Sequence, residues 1–276
     1  EPNWLGAQGW YDNTILCHPT DRDIVYVGGI QLWKIVLQGL SQRESYFLNQ
    51  GGVHVDHHNL VLLPGDGGTP WRLLNANDGG VAYSSDRDDL WQMAIDGLVT
   101  TQFYGVDKKP GGSAYVGGMQ DNSTWRSPVD SDALSPWTFQ IGGDGYETSW
   151  HFNDPLKIIG GYQYNGLARS LDGGASWISA TTGLSDVGAA NAPFITKIGK
   201  SNDRPETLFA VGKSGVWRST DFGGSWTLST MNGGQWAFST FLDVRVSRAD
   251  PDVVWAGARM DATGSIHLST DGGLSF

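Results

Sequence analysis

The sequence predicts an all-β fold, a β-propeller of four-stranded antiparallel blades, and three observations carry that prediction. A turn motif, Ser-x-Asp-x-Gly-x-x-aromatic, stands at Ser170, Asp172, Gly174 and Trp177, and again at Ser219, Asp221, Gly223 and Trp226. It returns at Ser269, Asp271, Gly273 and Phe276, and in worn form at Ser84, Asp86, Asp88 and Trp91, where Asp replaces Gly. The Asp positions are separated by 86, 49 and 50 residues, the first gap being two units of about 43. One turn motif per period in the forties is the signature of small sheets repeated radially. Composition agrees, with 39 Gly and 13 Trp and no Lys-, Glu- or Ala-rich helical run. The motif has a mechanical reason: the Asp carboxylate accepts backbone N–H groups of its own turn, the Gly takes a positive φ, and the aromatic anchors the turn.

Each unit can be laid out from its turns. The first has strands near Thr14, Ile24–Gly29 and Leu32–Val36, and lacks the motif between Trp33 and Tyr46. The second begins at Val53, reaches Gly79 and Gly80, and carries the worn motif from Ser84. The third begins near Thr101, turns at Lys109–Gly112, reaches Gly117 and Gly118, and keeps only Trp125, Arg126, Ser127 and a distant Trp137 of the motif. The fourth, fifth and sixth turn at Asp154-Pro155, Arg204-Pro205 and Asp250-Pro251, and reach Gly160-Gly161, Gly212 and Gly257. The sixth has no fourth strand after Phe276. Either the chain is part of a propeller of seven or more blades, or the segment around Asn3–Leu5 supplies that strand and closes a six-bladed ring. Closure is favoured because it removes unpaired sheet edges.

The 276 residues read as one domain, as repeat and all-β chains of this length commonly do. Starting at Glu1 without Met, the chain reads as a mature or trimmed piece. Against 18 basic residues stand 29 acidic ones, a net charge of −11. That balance argues against nucleic acid and anionic membrane as partners and favours a soluble surface able to bind cations. No apolar run approaches the roughly 20 residues of a membrane helix, so membrane insertion is not expected. Cys17 is the single cysteine, and its neighbours Ile15 and Leu16 predict a buried thiol rather than a reactive one.

Several runs go beyond the period, in this order: Gln8-Gly9-Trp10-Tyr11-Asp12, Val27-Gly28-Gly29 with Leu32-Trp33-Lys34, Val53-His54-Val55-Asp56-His57-His58, Asn77-Asp78-Gly79-Gly80-Val81, Gln102-Phe103-Tyr104, Gly117-Gly118-Met119-Gln120-Asp121-Asn122 and Gly142-Gly143-Asp144-Gly145. Over nearly its whole length the chain resembles the secreted bacterial Asp-box (BNR) repeat propellers labelled glycosyl hydrolases, related to sialidase, xyloglucanase and sortilin types. The resemblance implies extracellular location and a glycan or polysaccharide partner, with a protein partner in the sortilin-like alternative. It also implies a face rule: Asp boxes at Asp86, Asp172, Asp221 and Asp271 occupy one rim, and ligand meets the other. There the starts of the innermost strands contribute Trp10 to Asp12, His54 to His58, Gln102 to Tyr104, Asp144 to Glu147, and Asp243 with Arg245. The loops between second and third strands contribute Gln31, Asn77 with Asp78, Gln120 to Asn122, Gln163 with Asn165, and Arg259 with Asp261. Ligand-binding candidates are therefore Trp10, Tyr11, His54, His58, Asp78, Gln102, Tyr104, Gln120, Asn122, Tyr146, Gln163 and Asn165, with the aromatics and Tyr164 able to stack on sugar rings.

Glycoside hydrolysis generally uses two carboxyl groups flanking the scissile bond. The candidates on that rim are Asp144, Asp121, Asp56 and Glu147, with Asp78 beside them. Asp next to Gly or Asn also serves as a turn cap, and that reading stands against each. His54, Asp56 and His58 alternate, so on a strand they share a face while His57 points away. They form either a divalent-cation site, completed by Asp78 or Asp144, or a solvated lining of the central channel. No cofactor is required, and a divalent cation is the open alternative. Sialidase activity is disfavoured: an Arg-Ile-Pro opening is missing, and Arg169 and Arg218 precede motifs on the wrong rim. No nucleophile elbow, phosphate loop or dinucleotide fingerprint is present. Two function classes remain, a polysaccharide hydrolase using a carboxylate pair and a non-catalytic glycan- or protein-binding propeller. In the first, Asp144→Asn and Asp121→Asn stop turnover without unfolding the chain. In the second, the acids of the rim are all occupied by turn N–H groups.

Overall fold

The computed structural model describes residues 3–39, 42–48, 52–84, 87–88, 90–94, 97, 101–132, 134–232, 235–258 and 264–276. The fold is all-β, of the propeller class, and every element among the described residues is a strand. Six antiparallel sheets follow one another, each a meander in chain order. The backbone gathers into two compact units, Glu1–Thr100 and Thr101–Phe276.

The first unit holds sheet one, β1 Thr14–Cys17, β2 Ile24–Gly28, β3 Leu32–Gln38 and β4 Gln42–Phe47. Its sheet two is β5 His57–Leu63, β6 Arg72–Asn77, β7 Gly80–Ser84 and β8 Trp91–Met93. The second unit holds sheet three, β9 Phe103–Lys108, β10 Tyr115–Met119, β11 Thr124–Arg126 and β12 Thr138–Ile141. Sheet four is β13 Thr148–Trp150, β14 Ile158–Tyr162, β15 Gly166–Ser170 and β16 Ile178–Ser179. Sheet five is β17 Gly199–Lys200, β18 Leu208–Gly212, β19 Gly215–Ser219 and β20 Thr227–Leu228. Sheet six has three strands among the described residues, β21 Asp243–Val246, β22 Val254–Gly257 and β23 His267–Ser269. Asn3–Leu5 forms no strand; the Trp4 carbonyl instead accepts the Gln31 N–H of sheet one at 3.3 Å.

Second strands such as β14 and β18 are apolar because neighbouring sheets cover both their faces, whereas β6 carries Arg72, Asn75 and Asn77. In β18 all five residues, Leu-Phe-Ala-Val-Gly, are buried, and the two faces feed different cores. Leu208 and Ala210 join Ile159 and Leu167 of sheet four, while Phe209 and Val211 join Val244 and Val254 of sheet six. Tyr26 and Leu32 meet Leu60, Leu73 and Trp91 in the same way inside the first unit. Fully burying each such aliphatic or aromatic side chain contributes about 1.5–3 kcal/mol. The fourth strands β16 and β20 are two residues long and exposed, which limits edge pairing. Gly118 lets the next sheet come close: a Cβ there would lie 2.2 Å from the Tyr146 carbonyl oxygen.

Three turns form identical clasps. At Asp172 the carboxylate accepts the Ser176 N–H at 2.9 Å, the Ser176 hydroxyl at 2.6 Å and the Ser170 hydroxyl at 2.7 Å. Ser170 Oγ accepts the Gly174 N–H, and Gly173 and Gly174 both have positive φ. Asp221 and Asp271 repeat the pattern with Ser219 and Ser225 and with Ser269 and Ser275. Donors concentrated on the carboxylate lower Asp172 to about 2 and lower Asp271 as well. Burial raises Asp221, but bonds from Ser225 and Ser219 outweigh it and its net shift is also downward. Each clasp hangs from the first turn of its own sheet, through Leu156, Glu206 and Asp252 carbonyls, and so lies opposite the starts of the first strands.

Arginines missed as structural in the sequence link successive clasps. Arg169 of sheet four donates to the carbonyls of Asp221 and Phe222, and Arg218 of sheet five donates to that of Gly272. In the worn motif, Asp86 lies outside the described residues. Asp88 there accepts the Tyr26 hydroxyl at 2.9 Å and pairs with Lys34 at 2.6 Å, tying sheet two to sheet one. Cys17 is exposed, against expectation, because β1 alternates and turns Leu16 rather than its neighbours inward.

Candidate functional site

The first unit gathers acids and histidines where β5 begins. The alternation expected of His54, Asp56 and His58 does not exist as such, because β5 starts only at His57 and Asp56 has a left-handed φ of +61°. That bend is held by Asp56 and His57 N–H groups on the carbonyls of Ile30 and Gly29. His57 turns into the core, where its Nδ1 bonds Asn75 Oδ1 at 2.9 Å and burial drives its pKa down to about 4. A neutral structural imidazole results. His58 Nε2 meets Asp78 Oδ1 at 2.5 Å, and the Tyr11 hydroxyl donates to the same carboxylate at 3.2 Å. Tyr11 also stands edge-on to His58, with ring centroids 4.8 Å apart. His54 bonds the Val55 carbonyl through Nδ1 and packs against Gly79.

Asp56 accepts the Gln8 side-chain amide at 3.2 Å and is pushed up to about 6. Burial is the largest cause, followed by the charges of Asp78 and Asp12 and a hydrogen bond with Asp12, opposed by His54. Asp12 is fully buried and also raised, chiefly by burial. Neither Asp12 oxygen has a donor facing it among the described residues. Two ionised carboxylates cannot bond each other, so the Asp12–Asp56 contact is a hydrogen bond only while one of them keeps a proton. The sequence placed Asp12 on the ligand rim, at the end of the Trp10–Asp12 run, but not among the catalytic carboxyls, because Asp56 lies far from it along the chain. Trp10, 85% exposed, stands beside Tyr11 with ring centroids 5.7 Å apart.

In the second unit the expected residues behave differently. Asp144 Oδ1 accepts the Asp121 N–H at 2.8 Å, and its Oδ2 accepts Gln163 Nε2 at 2.6 Å. Gln163 Oε1 in turn accepts the Asp144 N–H, so the acid and amide lock two loops together. Asp121 sits at φ +62° in the turn that also bonds Asn122 to Gln120. Tyr146 is fully buried, edge-on to Tyr104 at 5.4 Å, and burial raises its hydroxyl pKa; no face is left for a sugar. Asn165 is fully buried too, its amide donating to the carbonyls of Asp186 and Val211. Both are corrections to the ligand-binding reading, and the cause is close packing of successive loops. Gln102 and Tyr104 remain exposed. Glu147 pairs with Arg245 at 3.0 Å rather than with another acid. Arg259 and Asp261 lie outside the described residues.

No protein-family model matches the chain, and no curated protein matches it in sequence. Among solved structures it is similar to the GH74 xyloglucanase of Xanthomonas campestris, with a TM-score of 0.52 at 17% identity. That match covers 95% of this chain and 39% of the xyloglucanase, so the chain spans well under half of its neighbour's length. An ancestral GH74 enzyme (TM-score 0.44, 12% identity, covering 92% of this chain and 37% of that one) and the GH74 enzyme of Niastella koreensis (0.26, 13%, 96% and 62%) also match. The first likeness supports the fold.

Proposed function

We propose that this chain is the carbohydrate-active portion of a secreted Asp-box (BNR) propeller that hydrolyses a polysaccharide, with acid chemistry centred on Asp56. The observation that carries the reading is a carboxyl held near pKa 6 beside a buried second acid, at the start of a first strand and next to exposed Trp10 and Tyr11. A general acid must keep its proton near neutral pH, and burial with like-charge neighbours is how a carboxyl does so. Asp56 then gives its proton to the leaving glycosidic oxygen as the bond to the anomeric carbon breaks. Water supplies the new C–O bond and returns a proton to Asp56, where Asp12 helps to hold it. Asp78, positioned by Tyr11 and His58, serves as the second carboxylate. Asp144 and Asp121 hold loops of the second unit together and Glu147 holds an ion pair there, so none of the three is given a step. The xyloglucanase neighbour makes xyloglucan the first polysaccharide to test. As a cation site, His54, Asp56 and His58 fit poorly, since His58 Nε2 already meets Asp78 and His54 Nδ1 the Val55 carbonyl. No step of the proposal uses a metal.

A non-catalytic glycan- or protein-binding propeller is the second reading, favoured by the occupied oxygens of Asp144. The discriminating experiment is turnover of a panel of neutral and acidic polysaccharides by the wild-type chain and by Asp56→Asn. The expected loss is 10²–10⁴-fold in a chain that stays folded. Wild-type turnover by Asp56→Asn removes Asp56 as the acid, and silence of the wild type on the whole panel favours the binder.

A further inference from the structure

Away from the carboxyl cluster, the second unit contains two adjoining cavities of about 730 and 330 Å³ that share Asp107, Lys200 and Asn202. Residues of the first strands β9, β13, β17 and β21 line the larger. Two ion pairs lie along it, each skipping a sheet: Lys200 of sheet five with Asp107 of sheet three at 2.5 Å, and Arg245 of sheet six with Glu147 of sheet four at 3.0 Å. These pairs neutralise themselves. What remains is Arg248 in the larger cavity and Lys108 and Lys109 in the smaller, against the single carboxylate of Asp203. None of the three cations has a side-chain partner among the described residues.

A concave surface with surplus positive charge, on a chain of net charge −11, is a local reversal of the molecule's field. Within a Debye length of about 8 Å the near charges decide what binds, and clefts focus their effect. Phe152 lines the smaller cavity with 47% of its surface exposed, an apolar face beside lysine ammonium groups. Cations that fix an oxyanion next to a flat apolar surface match an acidic sugar, whose ring has an apolar face and whose carboxylate is charged. We propose that these cavities bind an acidic oligosaccharide of the uronate class, one carboxylate meeting Lys108 and Lys109 beside a ring resting on Phe152 in the smaller cavity, and another meeting Arg248 in the larger. The choice of a sugar rests on the polysaccharide reading; the choice of an anion does not.

The test is calorimetric titration of the chain with trigalacturonate, with neutral cellotriose and with inorganic sulfate. Saturable binding of trigalacturonate is expected, weakened at least tenfold between 50 and 500 mM salt. Cellotriose is expected to bind at least tenfold more weakly. Lys108→Glu with Arg248→Glu should abolish binding, and Phe152→Ala should weaken trigalacturonate while leaving sulfate unchanged. If the charge reversals lower the melting temperature, Lys108→Ala with Arg248→Ala reads the same quantity with at least a tenfold loss. Absence of trigalacturonate binding, equal binding of cellotriose, or unaltered affinity in the charge variants overturns the proposal. Asp56→Asn should bind trigalacturonate like the wild type, so loss of the hydrolase reading and loss of this one are separable.

Discussion

Asp172 in the second unit and Asp56 in the first are aspartates in glycine-bearing, turn-rich stretches, yet their carboxyls move in opposite directions. Asp172 lies exposed under a cage of Ser hydroxyls and backbone N–H groups and falls to about 2. Asp56 has one amide donor, partial burial and two acidic neighbours, and rises to about 6. The difference teaches that a carboxylate's role is set by what faces it: donors make it a permanent anion that shapes backbone, while other acids make it a proton carrier. Asp144 follows Asp172 in facing donors, the Asp121 N–H and the Gln163 amide.

The sharpest way to break this comparison is to exchange the charges for amides. Asp56→Asn should lose 10²–10⁴-fold in polysaccharide turnover, whereas Asp172→Asn should stay within about twofold of wild type. Equal losses would show that the two acids do the same work. Next in size is stability: Asp221→Ala removes a turn cap and should cost about 1–2 kcal/mol in urea unfolding, with turnover preserved. The pH dependence of unfolding should separate the two kinds of acid. Because the folded pKa of Asp56 is raised, the folded chain binds the extra proton, so stability falls as pH climbs from about 4 to about 6. With partial exposure discounted, that fall is about 1 kcal/mol, and Asp56→Asn should flatten it. Asp172 has the opposite sign: its stabilisation is present above pH 4 and is lost as pH drops toward about 2, where Asp172→Asn should show a shallower decline. The smallest effect is Arg169→Gln, about 0.5–1 kcal/mol, from loss of its bonds to the Asp221 and Phe222 carbonyls.

Much of the fold was legible because the clasp chemistry is local. Ser170, Asp172 and Gly174 lie within five residues, and every bond among them can be drawn from spacing alone. The strand positions of sheets four and five followed from Gly160-Gly161, inside β14, and Gly212, the last residue of β18. The site was legible as a set of runs but not as roles. Asp12 and Asp56 are 44 positions apart, and only their meeting makes either an acid worth noting. A single left-handed residue, Asp56, undid the alternation read across His54 and His58. Asn165 and Tyr146 looked like ligand contacts because amides and phenols serve equally well to close the space between loops.

Arg169 and Arg218 have a consequence for how the second unit comes apart. Each guanidinium grips the turn of the following sheet, so losing one sheet strips a support from its predecessor and exposes the successor's carbonyls to water. Sheets four to six therefore behave as a row of coupled neighbours, with a helix-coil style of cooperativity spread along the chain. Amide exchange should be slowest in sheet five, gripped from both sides, and should quicken toward either end of the row.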